Sequence, residues 1–193
     1  MKIYIVTQNF PPSIGGIQTV MFSIAKELSS MGNQVFVFPD HWFIGVDSFT
    51  VKNIIAPKLI RHYFKKFFLS INSQEENIII CDTWKSVNAV PKKFKNIVIL
   101  AHGQEYLKLK NKNRILSSLL RAKILIASSK YTLDLIKSHW DISHLKSDFI
   151  YPTYHIKKMP FKNKPPNKVT RFISICRIEK RKGLLQSLVA LKK

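Results

Sequence analysis

Six short apolar runs, IYIV (3 to 6), QVFVF (34 to 38), NIIIC (77 to 81), NIVIL (96 to 100), KILIA (123 to 127) and DFIY (148 to 151), are spaced along the chain with helical patterns between them. Strands that alternate with helices build βαβ units and a parallel sheet. The runs carry no polar alternation, so each strand is expected to be buried on both sides, in an α/β fold with helices on both faces of the sheet. Ile17, Val20, Met21, Ile24, Ala25 and Leu28 recur at helical steps and mark the first helix, with Gly32 as its stop. Further helical patterns run from 106 to 121 and from 131 to 140.

The pattern breaks after residue 153. The stretch YHIKKMPFKNKPPNK is basic, Pro-containing and aperiodic, which makes 154 to 170 a linker. RFISIC then restarts a strand, RIEKRK reads as a loop, and 183 to 193 reads as a helix with Leu184, Leu185, Leu188, Val189 and Leu191 as its apolar positions. A chain of 193 residues holds one good core and little more. The expected division is therefore a domain over 1 to 153, the linker, and a strand-loop-helix stub over 171 to 193. Cys81 and Cys176 both fall in strand-like runs and are expected to be buried thiols, and the six His show no metal-ligand spacing, so no zinc is expected.

Charge restricts the partners. Lys and Arg number 32 against 11 Asp and Glu, a net charge of +21 that favours anionic partners without choosing among them. The apolar run at the start spans four residues, too short for a secretory signal, and no run approaches the ~18 apolar residues of a membrane span. The expected location is cytoplasmic, at most peripheral on the inner face of a membrane.

Several stretches offer chemistry, each with a plainer alternative. In NFPPSIGGIQTV, Gly15 and Gly16 let the backbone approach a ligand while the helix N-terminus attracts phosphate; a tight unliganded turn is the other reading. In ILAHGQE, His102 and Glu105 stand beyond the carboxyl end of a strand, where a His with a carboxylate nearby could exchange protons or bind hydroxyls; a surface His that merely caps the next helix is the other reading. In ASSKYTLDLIK, Ser128 or Ser129 is an N-cap. APKLIRHYFKKFFLS places Tyr63, Phe64, Phe67 and Phe68 on one helical stripe with Lys58, Arg61, Lys65 and Lys66 beside it. Such a helix either lies on an anionic membrane through Arg61, Phe64, Lys65 and Phe68 or turns its apolar side to the core. Arg177 and Lys182, flanking a loop that ends at Gly183, suit a diphosphate, or form part of a solvated charge run.

Taken in order, FPPSIGGIQTVMFSIAKELSSMGNQVFVF, HGQE, ASSKYTLDLI and CRIEKRKG resemble the family 4 glycosyltransferases. The resemblance implies a GT-B architecture, of which this chain holds the N-terminal Rossmann-like acceptor domain and the first strand-loop-helix of the donor domain. It implies transfer of a sugar from a nucleotide sugar, with retention, to a glycan or lipid-linked acceptor of cell-envelope polysaccharide. By resemblance Gly15 and Gly16 approach the donor phosphates, His102 is the catalytic residue facing the sugar, and Arg177 and Lys182 stabilise the departing diphosphate without a metal. Glu105 and Ser128 stand in the acceptor cleft. Cys176 departs from the family's usual Gly, YPTYHI replaces its usual turn, and Asn33 occupies a common His position. The family's Glu-x7-Glu donor motif is expected beyond residue 193, which makes the chain alone an expected non-catalyst that awaits a separately encoded C-terminal half or derives from an interrupted gene.

The alternative is a non-catalytic basic module that adsorbs to anionic membrane or nucleic acid. It shares the charge but leaves the glycine loop, His102 and the Arg177/Lys182 spacing unexplained. No nucleic-acid motif or aromatic platform accompanies the charge, so nucleic acid is not an expected partner.

Overall fold

The computed structural model describes residues 1–45, 47–72, 74–107, 109–152, 172–176, 178 and 180–191. The chain divides into two compact units, Met1–Thr153 and Tyr154–Lys193. In the first, strands β1 (Lys2–Val6), β2 (Gln34–Phe38), β3 (Thr50–Val51), β4 (Ile78–Cys81), β5 (Ile97–Ala101), β6 (Ile124–Ala127) and β7 (Lys146–Phe149) form one sheet in the order β3-β2-β1-β4-β5-β6-β7. Every pair is parallel. The connections pass through α1 (Gly16–Ser30), α2 (Arg61–Asn72), α3 (Lys112–Arg121) and α4 (Lys130–His139), with short 3-10 turns at Ser86–Ala89, Gln104–Leu107 and Leu109–Asn111.

Alternate side chains of a strand face opposite ways, and each face of this sheet has its own core. Ile3, Ile5, Val35 and Val37 pack with Met21 and Ala25 of α1. Tyr4, Val6, Ile79, Cys81, Ile97, Ile99 and Leu125 pack with Leu69 of α2, Ile115 and Leu119 of α3, and Leu133 and Ile136 of α4. Because chain order reverses direction across β1 and β4, right-handed crossovers put α1 on one face and the later helices on the other. The expected α/β sheet with helices on both faces is what forms. Gly32, at φ 82, ends α1 in the left-handed conformation, and its amide and that of Asn33 return to the carbonyls of Ser29 and Leu28.

Four expectations need correction. The pattern over 106 to 121 is two 3-10 turns followed by α3. Among the described residues of 172 to 176 no strand forms, and Cys176 is exposed, while Cys81 is buried. Strand β7 begins two residues before the expected 148. The short edge strand β3 and the 3-10 turn at Ser86–Ala89 carry too few residues for a periodic signal. The linker over 154 to 170 lies outside the described residues. In the second unit, the 3-10 turn Lys180–Lys182 leads into α5 (Leu184–Leu191), whose Leu185, Leu188, Val189 and Leu191 are exposed.

Candidate functional site

An open parallel sheet binds ligands beyond the carboxyl ends of its strands, at the point where the order reverses. Here that point lies between β1 and β4. Asp82, the residue after β4, is fully buried, and its Oδ2 accepts hydrogen bonds from Thr7 Oγ1 (2.9 Å), Gln8 N (2.9 Å), Asn9 N (3.0 Å) and Asn9 Nδ2 (3.0 Å). Its Oδ1 accepts from Ser86 Oγ at 2.5 Å. One carboxylate therefore fixes the whole exit of β1, the segment that leads into the glycine loop.

The loop ends at Gly15, the residue preceding α1. No side chain caps this helix, so its first-turn amides are left for another acceptor. Gly15 has extended backbone, and a Cβ there would meet only the mobile tip of Gln18. A Cβ on Gly16 would meet nothing within 4 Å, so open space borders the helix start.

His102 follows β5. Its amide donates to Glu105 Oε1 at 2.8 Å, and Trp84 Nε1 donates to the Glu105 carbonyl at 3.3 Å. Glu105 thus ties down its own loop, and the residue is half-buried. Gly103 between them has φ 144, a backbone state that disfavours a side chain. The His102 ring is held by the backbone of Asp82, while its Nε2 is buried with no hydrogen-bond partner among the described residues. Burial lowers the imidazole pKa below its ordinary value, with Glu105 and Asp82 opposing. A neutral imidazole held through its other nitrogen keeps a lone pair on Nε2, which accepts a hydrogen bond from a hydroxyl.

Ser128 follows β6 and gives its amide to the Ala101 carbonyl at 2.8 Å, which sets it beside the His102 loop. Its hydroxyl is half-buried and has no partner among the described residues. The cap of α4 is Ser129, whose Oγ accepts from Thr132 N at 3.1 Å. Arg177 lies outside the described residues. Lys182 is exposed in the second unit, directly before Gly183 at φ 67.

The membrane-surface expectation for Lys65 and Arg61 is corrected. Lys65 is 2% exposed and pairs with Asp40 Oδ1 at 2.5 Å while donating to the Thr7 carbonyl at 3.0 Å. Burial lowers its pKa, with Asp40 opposing. Arg61 spends its guanidinium on the carbonyls of Ala56 and Asp40. The aromatic side of α2 faces outward instead, with Tyr63 64% and Phe67 62% exposed and Phe64 and Phe68 also exposed. Lys65, Asp40 and Asp82 went unread in the sequence as parts of this end of the sheet. The one available signal for Asp82 was an acidic residue directly after an apolar strand.

Among the described residues no group of three or more metal-ligating side chains gathers, and no helix is long and apolar enough to cross a membrane.

No family model matches this sequence, and no curated protein matches it. Among solved structures, one described as "Trehalose-6-phosphate from E. coli bound with UDP-2-fluoro glucose" is similar at a TM-score of 0.49 and 11% identity, over 77% of this chain and 48% of that one. Another, an "alpha-glucosyltransferase in complex with UDP and a 13-mer DNA containing a central A:G mismatch", is similar at 0.44 and 15% identity, over 76% of this chain and 40% of that one. The chain spans about half the length of the first and less of the second.

Proposed function

We propose that residues 1 to 153 are the acceptor-side lobe of a nucleotide-sugar-dependent glycosyltransferase of GT-B architecture, resembling family 4. The observation that carries this reading is the buried His102 Nε2, without a partner among the described residues, at the same sheet edge as the uncapped start of α1 and the Ser128 hydroxyl, which has no partner among them either. A sugar diphosphate matches that set. Its anionic end suits the amides at Gly15 and Gly16, and its hydroxyls suit the acceptor lone pair of His102.

In this reading negative charge grows on the departing diphosphate as the glycosidic bond breaks, and fixed cations lower that barrier. Arg177 and Lys182 are assigned that role from the resemblance, with a nucleotide sugar as donor, no metal, retention of configuration, and a glycan or lipid-linked cell-envelope acceptor. The outward aromatic face of α2 supports an anionic bilayer as the surface on which the acceptor is met, with Phe64 and Phe68 on the contact and Lys65 removed from it.

Binding tests the reading directly. Calorimetry against a panel of uridine- and guanosine-diphosphate hexoses is expected to find a ligand. His102→Ala and Gly16→Val should each weaken it by about tenfold, as for loss of a buried hydrogen bond or filling of the phosphate approach. Unchanged affinity in both folded variants would refute the assignment.

A further inference from the structure

At the opposite, amino-terminal edge of the sheet lies a cleft of about 440 Å³ lined by Lys92, Lys95, Arg121, Lys123, His144 and Lys146 among others, with no carboxylate in its wall. Arg121 turns inward, donating to the carbonyls of Val87 (3.0 Å), Val90 (2.8 Å) and Pro91 (2.8 Å). Lys123 donates to Asn96 Oδ1 at 2.9 Å. The ammonium groups of Lys92, Lys95 and Lys146 have no hydrogen-bond or ion-pair partner among the described residues. Lys123 and Lys146 sit at the starts of neighbouring strands, where like charges repel. Among the described residues no carboxylate is ion-paired to any of these lysines.

A second groove of about 580 Å³ adjoins it, sharing Lys92, Leu120 and Arg121 and adding Asn113, Leu116 and Ser117. Leu116 and Leu120 are exposed on the outer side of α3. Cations that gather without an acid are suited to an anion, and an apolar strip beside them is suited to a hydrocarbon attached to it. We propose that this edge binds a phosphoryl group carrying an apolar substituent, with Lys92, Lys95, Lys123 and Lys146 around the phosphoryl oxygens and Leu116 and Leu120 along the tail. The site is at the other end of the strands from His102, so it stands or falls independently of the sugar-transfer reading.

The test uses monomeric dihexanoyl phosphatidic acid against inorganic phosphate, read by calorimetry on the full 193-residue chain. The short-chain lipid should bind about tenfold tighter than phosphate, and Leu116→Ser with Leu120→Ser should remove that advantage. Replacing Lys92, Lys95, Lys123 and Lys146 by Gln should cost about tenfold, a figure already discounted for exposed cations. A charge-matched control, with Gln at the exposed Lys26, Lys52, Lys130 and Lys137, should change affinity by less than about twofold. Vesicles of phosphatidylcholine with phosphatidylglycerol separate the sources. Sedimentation that depends on the same four lysines identifies a bilayer headgroup, and binding of the monomer alone identifies a free amphiphile. Equal losses in the two sets of variants, or phosphate binding as well as the lipid, would overturn the proposal.

Discussion

A carboxylate with no exposed surface that accepts four hydrogen bonds on one oxygen couples two strands chemically as well as sterically. Asp82 takes those bonds from Thr7, Gln8 and Asn9, so the geometry of the loop ahead of Gly15 depends on its charge. Asp82→Asn puts an amide among donors that need an acceptor, and unfolding in urea is expected to show a loss of about 3 kcal/mol. A loss below about 1 kcal/mol would mean that the loop is held by other contacts. His102 gives a pH signature. Its folded pKa is lowered from 6.5, so the unfolded chain takes up the proton first and stability rises with pH. The contribution is present above 6.5 and is lost as pH falls through the lowered folded value. Urea midpoints measured between about pH 7 and about pH 5 should fall more in the parent than in His102→Gln, and parallel declines would contradict this.

Helix α2 shows where sequence reading stops. Its aromatic and basic residues lie on separate stripes, and periodicity says that two stripes exist without saying which turns inward. The choice is made by Asp40 and the Thr7 carbonyl, distant in sequence, which bind Lys65 and draw a charged residue into the interior. The inner strands were legible because a parallel strand covered by helices on both faces is apolar on both sides, whereas the edge strand β7, with Lys146 and Asp148 exposed, was legible only at its apolar end. At the sheet's carboxyl edge, Gly15, His102 and Ser128 were legible as loop residues after strands, and Gly16 as the start of the helix that follows. Asp82 and Lys65 were not, because a buried charge is recognised by its partners and those are brought by the fold. The outward stripe makes a prediction of its own. Tyr63→Ser, Phe64→Ser and Phe67→Ser together should reduce sedimentation with anionic vesicles by about tenfold while leaving the urea midpoint nearly unchanged, since exposed side chains contribute little to the core. Retained vesicle binding would remove α2 from any membrane contact.

At the scale of the molecule, a net charge of +21 over 193 residues would attract almost any polyanion, so binding by itself discriminates little. What discriminates is position. Among the described residues, buried charges and an imidazole Nε2 without a partner gather at the carboxyl edge of the sheet, whereas lysines without an ion-pair partner gather at the other edge. Leaving the His102 Nε2 desolvated without a partner among the described residues costs free energy that a bound donor would recover. Amide chemical-shift mapping during titration with the tightest nucleotide hexose tests this directly. The account predicts that Gly15, Gly16, His102, Gly103 and Ser128 shift together and saturate at one ligand concentration. Shifts confined to Lys92, Lys95, Lys123 and Lys146, or spread evenly over the lysines, would contradict it.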